Sequence, residues 1–287
     1  MDSSSIEKKE ITLQGKHSRP ITLDITYHTI KNKEIKNPVI IFCHGFKGFK
    51  DWGTFNLVAK KFAQNQYNFI KFNFSHNGTS ADDFSDLHDK EAFGNNNFEI
   101  ELDDLGSVID WVMEDKNPLK SHLNTNEIYV IGHSRGGGIA LLKTIEDSRI
   151  KKVTCWATVN DLEKFMHLNS PDQWRESGVS WVKNTRTGID FPLYFQFYEN
   201  FYANRDRFNL KKNLMKLDKP LLLLHGNQDN SVSFTDSKWI YEHVMHAIFI
   251  QVENGDHTFG GKHPWLKETL PDDLNFAIEE TIEFFTF

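Results

Sequence analysis

The chain is predicted to fold as an α/β protein, a mostly parallel central sheet with helices on both faces. Three observations predict it. Short, wholly apolar runs at residues 39–42 and 221–224 have the pattern of strands buried on both sides. Segments between such runs place apolar residues three and four apart, the spacing of one-sided helices. The stretch 127–142, EIYVIGHSRGGGIALL, runs from an apolar segment through a glycine-rich turn into another, so a strand and a helix are joined directly.

Taken in order, residues 11–13 and 21–27 alternate apolar and polar side chains on either side of Pro20 and predict a half-exposed antiparallel edge pair. Residues 31–37 read as a charged turn. The strand at 39–42 ends at His44-Gly45-Phe46. Phe55, Val58, Ala59 and Phe62 predict a helix over 52–66, and 69–74 a further strand. Residues 75–97 read as a polar loop with acidic Asp82, Asp83 and Asp86. A helix is predicted over 98–113, its early acids suiting the positive end of the helix dipole. After the glycine-rich turn come strands at 153–159, 221–224 and 248–252 and a last helix over 272–285.

About sixty residues separate Val159 from Pro220, roughly twice the length of an ordinary βαβ crossover. This predicts an insertion at 160–215 after the sixth strand, dividing the core into 1–159 and 216–287. Trp174, Trp181, Phe191, Tyr194, Phe195, Tyr198, Phe201 and Tyr202 crowd into it, the last six at spacings of three and four. They predict a helical, aromatic-rich lid, with Trp181, Tyr194 and Tyr198, together with His44, as candidate pocket residues.

At 287 residues the chain buries enough surface for one large core without cross-links. A net charge of −7 and the absence of a lysine/arginine block argue against nucleic acid as a partner. Cys43 and Cys155 sit in apolar runs and read as buried small hydrophobes, not as a disulfide or metal pair. The N-terminus has no apolar segment of signal-peptide type and no stretch suits a membrane span, so a cytoplasmic protein is expected. No metal or organic cofactor is expected, and the oligomeric state is not readable.

Gly132-His133-Ser134-Arg135-Gly136 fits G-x-S-x-G, in which a serine sits on a sharp strand-to-helix turn. Serine is a weak nucleophile and needs a base, and the base needs a group to orient it. In an open sheet such partners come from loops at the carboxyl ends of other strands. Asp229 lies just past the strand at 221–224, and His257 just past that at 248–252. They are the candidate acid and base, with Asp161 the runner-up acid. The developing oxyanion needs two amides, for which Arg135 and Phe46 are the candidates.

On these residues the chain resembles the α/β-hydrolase superfamily, whose order of nucleophile, acid and histidine is that of Ser134, Asp229 and His257. The nearer resemblance is to the dienelactone-hydrolase-like and serine-aminopeptidase-like group that includes bacterial cinnamoyl and feruloyl esterases. It rests on His44-Gly45-Phe46, Phe72-Asn73-Phe74, Asn77-Gly78-Thr79-Ser80, the turn at Ser134, His225-Gly226 with Asp229 and Val232, and Gly255-Asp256-His257-Thr258-Phe259. Where relatives often carry Arg-Gly-His-Gly, this chain has Ser75-His76-Asn77-Gly78. The resemblance implies an acyl-enzyme on Ser134 and a small-molecule carboxylic ester as substrate; the aromatic-rich insertion favours an aromatic or short apolar acyl group. Alternatives are a serine aminopeptidase or amidase, whose substrate amine would want carboxylates from Glu163, Asp172, Glu176, Asp190 or Glu199, a thioesterase, and a non-catalytic ligand-binding member of the fold.

Overall fold

A computed structural model of the chain describes residues 5–29, 35–80, 83, 86–168 and 170–287. Most of the predicted 31–37 turn, and Asp82, lie outside them. The elements, in chain order, are β1 (Ile6–Gln14), β2 (Pro20–His28), β3 (Asn37–Cys43), α1 (Phe55–Gln64), β4 (Asn68–Phe72), α2 (Lys90–Gly94), α3 (Phe98–Met113), β5 (Leu123–His133), α4 (Arg135–Glu146), β6 (Ile150–Trp156), α5 (Pro171–Ser177), β7 (Val179–Lys183), β8 (Asp190–Tyr194), α6 (Gln196–Ala203), α7 (Arg205–Phe208), α8 (Leu210–Leu214), β9 (Leu221–Gly226), α9 (Phe234–His243), β10 (Ala247–Val252) and α10 (Asp272–Thr286).

Eight strands form one sheet in the order β1-β2-β4-β3-β5-β6-β9-β10. β1 pairs antiparallel with β2, and β2 with β4; every later pairing is parallel. The apolar run of β3 is explained by its two faces. Val39, Ile41 and Cys43 pack with Leu102, Leu105 and Ile109 of α3 and Ile139 of α4. Ile40 and Phe42 pack on the opposite side with Val58 and Phe62 of α1 and Leu274 and Ile278 of α10. A strand covered on both faces has no position to spare for a polar side chain. Each such aliphatic side chain contributes roughly 1.5–3 kcal/mol on burial. Both cysteines are buried and free, as their setting predicts.

The sequence reading fails first at β2. Its residues 21–27 are buried, not half exposed, because only β1 is at the edge. Asp24, the charged side chain among those that suggested exposure, serves a buried ion network. Asp24 of β2 meets Lys71 of β4 at 2.5 Å and Lys50 at 2.9 Å. Lys50 and Lys71 both also meet Asp51. The network ties β2 and β4 to the loop that follows β3.

Two helices fall where none was predicted. α2 interrupts the polar loop; Asp89 caps it by accepting from the Ala92 amide. α9 follows Ser233, whose hydroxyl accepts from Thr235 N–H. The insertion is not wholly helical either. Phe191 and Tyr194 belong to β8, which pairs with β7 as an antiparallel hairpin, and α6 starts only at Gln196. The buried face of α6 is Phe197 and Phe201, so the apparent aromatic stripe spans a strand end and a helix start. No helix among the described residues is long and apolar enough to cross a membrane.

Candidate active site

β5 delivers Ser134 to the carboxyl edge of the sheet. Ser134 has φ +57° and ψ −124°, a conformation that side-chain-bearing residues rarely adopt and that costs of order 1–3 kcal/mol. The surroundings hold it there. Ser134 N–H donates to the Trp156 carbonyl at 2.9 Å, and Gly137 N–H donates to the Ser134 carbonyl at 3.0 Å. Gly136 allows the close approach of β3: a Cβ there would lie 2.4 Å from both the Cys43 and His44 carbonyl oxygens. Gly45 is similarly required, since its Cβ would lie 2.9 Å from that of Ser134.

Asp229, past β9, has a fully buried side chain and four donors. Oδ2 accepts from His257 Nδ1 at 2.7 Å and His225 Nε2 at 3.0 Å; Oδ1 accepts from the Ser231 and Val232 amides at 2.7 and 2.9 Å. Burial pushes its carboxyl pKa up, but the hydrogen bonds from His225 and His257 outweigh that and hold it well below the usual carboxylate range. An ionised carboxylate only accepts, so His257 carries its proton on Nδ1. This leaves Nε2 as the lone-pair nitrogen. His225, itself buried, donates from Nε2 and accepts from the Ser237 hydroxyl at Nδ1, 2.7 Å away.

His257, past β10, lines one open cleft with Ser134 and with Gly45, Phe46, Lys47, Trp52, Phe55 and His133. The Ser134 hydroxyl has no hydrogen-bond partner among the described residues. The His257 backbone is fixed instead: its carbonyl accepts from His133 Nε2 at 2.8 Å, and the two rings lie 4.8 Å apart. Burial, the largest cause, pushes the His133 pKa down to about 3, so it is a neutral strut.

The amides of Phe46 and Arg135 donate to no other group among the described residues. The Arg135 side chain turns away from the cleft, pairs with Glu101 of α3, and lies over the Phe46 ring at 4.3 Å. It therefore braces the loop that carries the other amide.

Of the predicted positions, Ser134, Asp229, His257, Phe46 and Arg135 converge. The four pocket candidates do not. His44 is buried, bonds the Gly45 carbonyl through Nδ1 and stacks edge-on against Phe74, so it supports the loop from beneath. Burial lowers its pKa to about 4. Trp181 is half exposed on β7. Tyr194 donates to Glu91 at 2.6 Å, and Tyr198 packs against Phe195 and Tyr202. None of the four is among the residues lining the cleft. Asp161 is engaged by Lys211 and the Glu163 amide. Sequence reasoning did not single out His133 and His225 as supports of other loops, or Trp52 and Phe55 as walls. The signal for the walls was their position at the end of the loop that begins with His44-Gly45-Phe46, where α1 starts.

A family model described as alpha/beta hydrolase fold matches residues 38–209. A candidate esterase/lipase of Haemophilus influenzae is 27% identical over 283 residues, spanning 90% of this chain and 87% of its own. Among solved structures, an esterase domain from Rhodothermus marinus aligns with a TM-score of 0.63 at 19% identity, covering 97% of each chain. Est1E from Butyrivibrio proteoclasticus, with ferulic acid bound, aligns at 0.69 and 15% identity, covering 96% of this chain and 98% of its own. At such identities the structural likeness speaks for the fold alone. The matched region holds β3, the turn at Ser134 and most of the insertion, and on that match the chain belongs to the α/β-hydrolase fold family.

Proposed function

We propose that the protein is a serine hydrolase of carboxylic esters, working through an acyl-enzyme. His257 Nε2 takes the Ser134 proton as Oγ attacks the ester carbonyl. The tetrahedral oxyanion is received by the Phe46 and Arg135 amides. The imidazolium, steadied by Asp229, returns the proton to the departing alkoxide, and an alcohol leaves. Water then enters and attacks the acyl carbon as His257 takes its proton; the second tetrahedral adduct collapses with the C–Oγ bond breaking, His257 returns that proton to Ser134 Oγ, and the acid leaves. The observation that carries this reading is the His257–Asp229 bond at 2.7 Å on the cleft that also holds Ser134 in its strained turn. Phe46, Trp52 and Phe55 support an apolar or aromatic acyl group.

The insertion is read as a lid, since the β7–β8 hairpin reaches the cleft rim where Lys47 Nζ donates to the Lys183 carbonyl at 3.0 Å. Two free, buried cysteines suit a reducing compartment and support a cytoplasmic site of action. An ester is favoured over a peptide with a free amine. Glu163, Asp172, Glu176, Asp190 and Glu199 do not line the cleft, and Glu163 is engaged by Arg205 and Tyr202.

The test is labelling by a fluorophosphonate together with turnover of p-nitrophenyl butyrate, an amino-acid p-nitroanilide and an acyl thioester. The wild type should be labelled and should prefer the oxygen ester. Ser134→Ala should lose labelling and lower kcat by on the order of 10⁶. Wild-type turnover by that variant would overturn the assignment.

A further inference from the structure

One charged side chain on the rim of the cleft has no part in the acyl-enzyme chemistry. Lys47 follows Phe46 directly, at φ +60°, and lines the cleft with Ser134. Its ammonium lies 5.5 Å from the centroid of the Phe46 ring and donates one hydrogen bond, to the Lys183 carbonyl. An ammonium has three donors, so two remain. Among the described residues no carboxylate forms an ion pair with Lys47, and no carboxylate lines the cleft. Its nearest cationic neighbour in charge terms, Arg135, is neutralised by Glu101; Lys47 is not. Half-buried cations are ordinarily paired, and one without a partner at the mouth of a pocket is a place for an anion. The walls leading from it to Ser134 are Phe46, Trp52 and Phe55, apolar surfaces suited to a hydrocarbon spacer.

We propose that Lys47 is a specificity-determining residue that selects esters whose acyl chain carries a terminal anion, half-esters of dicarboxylic acids being the plainest class. The proposal rests on Ser134 being the nucleophile. The spacer lies along the aromatic walls, the ester carbonyl meets Ser134, and the far carboxylate meets the ammonium at the rim. A purely structural role is the competing possibility: by holding Lys183, Lys47 would only latch the β7–β8 hairpin. Latching acts on every substrate alike; selection does not.

The experiment compares kcat/KM on mono-p-nitrophenyl adipate and p-nitrophenyl hexanoate, equal in carbon number and differing in the terminal charge. Wild type, Lys47→Met and Lys47→Arg are measured at low and at 0.5 M salt. Methionine keeps the length of the side chain and meets the same backbone conformation, so folding is changed little. The adipate-to-hexanoate ratio should fall about tenfold or more in Lys47→Met, the loss of one hydrogen-bonded charge pair. It should stay within about threefold in Lys47→Arg, and in wild type it should shrink as salt screens the rim. A ratio that Lys47→Met leaves unchanged, including an equal loss on both esters, overturns the proposal while leaving the Ser134 reading intact. A wild type that is unlabelled by fluorophosphonate and hydrolyses neither ester overturns both.

Discussion

The rim of the sheet and the insertion between β6 and β9 are held in place by different forces. At the rim, backbone meets backbone: Gly136 against the Cys43 and His44 carbonyls, Gly45 against Ser134. Buried charges finish the work, Asp229 with four donors and Arg135 with Glu101. The insertion is held by ring packing, Phe191 against Phe93 and Phe197 and Phe201 against Phe98, and by side-chain tethers near the surface. Tyr194 reaches Glu91, Asn200 reaches Glu99 at 2.8 Å, Arg207 reaches Glu146, and Arg186 forks onto Asp86. Exposed pairs of this kind contribute about 0–1 kcal/mol each. The difference separates two tasks. On the proposed reading, the rim sets the geometry in which a proton moves, and the insertion bounds the approach to it, meeting the rim at Phe165 beside Arg135 and at Lys183 beside Lys47.

The sharpest way to break this contrast is Asp229→Asn. The amide can still accept from one histidine, but it cannot stabilise an imidazolium and disfavours the tautomer with the proton on Nδ1. A fall in kcat of about 10⁴ is expected, with little change in fluorophosphonate binding geometry, as for the corresponding change in other triads. Steady-state kinetics on p-nitrophenyl butyrate would check it. A loss of less than about tenfold would mean that the His257–Asp229 bond is structural.

The same contrast explains what could be read from residues alone. The turn at Ser134, the acid loop and the histidine loop are each local: a strand, a glycine, a short polar run. Their convergence follows from a parallel sheet whose strands end on one side. The insertion has no such rule. Aromatics three and four apart describe a helix, yet Phe191 and Phe197 are buried from a strand and a helix respectively, and the spacing between them carries no mark of the boundary. Asp24 made β2 look half exposed because its partners, Lys50 and Lys71, are 26 and 47 residues away. His133 and His225 carry no local mark of their part because each acts on another loop, His133 on the His257 carbonyl and His225 on Asp229.

Glu101→Ala tests the rim by stability in place of rate. It leaves the guanidinium of Arg135 buried among Phe46, Phe98 and Phe165 with no anion. Removing one partner of a buried pair costs about 3–5 kcal/mol. The urea midpoint should fall accordingly, and kcat should fall as the Phe46 loop loosens. An unchanged midpoint would place the pair outside the forces that shape the rim.

Asp104 offers a smaller effect, and one with a sign. It lies on α3, one turn past Glu101, with Oδ2 accepting from Ser75 N–H at 2.7 Å and Oδ1 buried without a partner. Burial raises its pKa to about 7 from 3.8. The folded state therefore binds a proton more readily than the unfolded chain between these values. Stability from this group is present at low pH, is lost as pH rises through the window, and levels off above about 7. Asp104→Asn removes the dependence. Urea unfolding at pH 5.5 and pH 8 should show a wild-type decline that the variant lacks, and parallel declines would refute the assignment. Set beside Asp229, which burial also penalises but which its donors hold ionised, Asp104 shows what the rim would lose with fewer donors.

The least effect is expected where the insertion meets the core by charge. Arg186 forks onto Asp86, with one arm at 2.8 Å, and both side chains keep about a fifth to a quarter of their surface in solvent. Arg186→Ala removes that tether and leaves the β7–β8 hairpin attached through the Lys47 contact to Lys183. Stability should change by no more than about 1 kcal/mol. KM for a bulky hydroxycinnamoyl ester should move by a few-fold, with kcat unchanged, because the tether lies away from Ser134, Asp229 and His257. A kcat that fell with KM constant would join the insertion to the chemistry and erase the division of labour between the two regions. A shift in KM alone, reversed in 0.5 M salt only for the wild type, would locate the effect in this one ion pair.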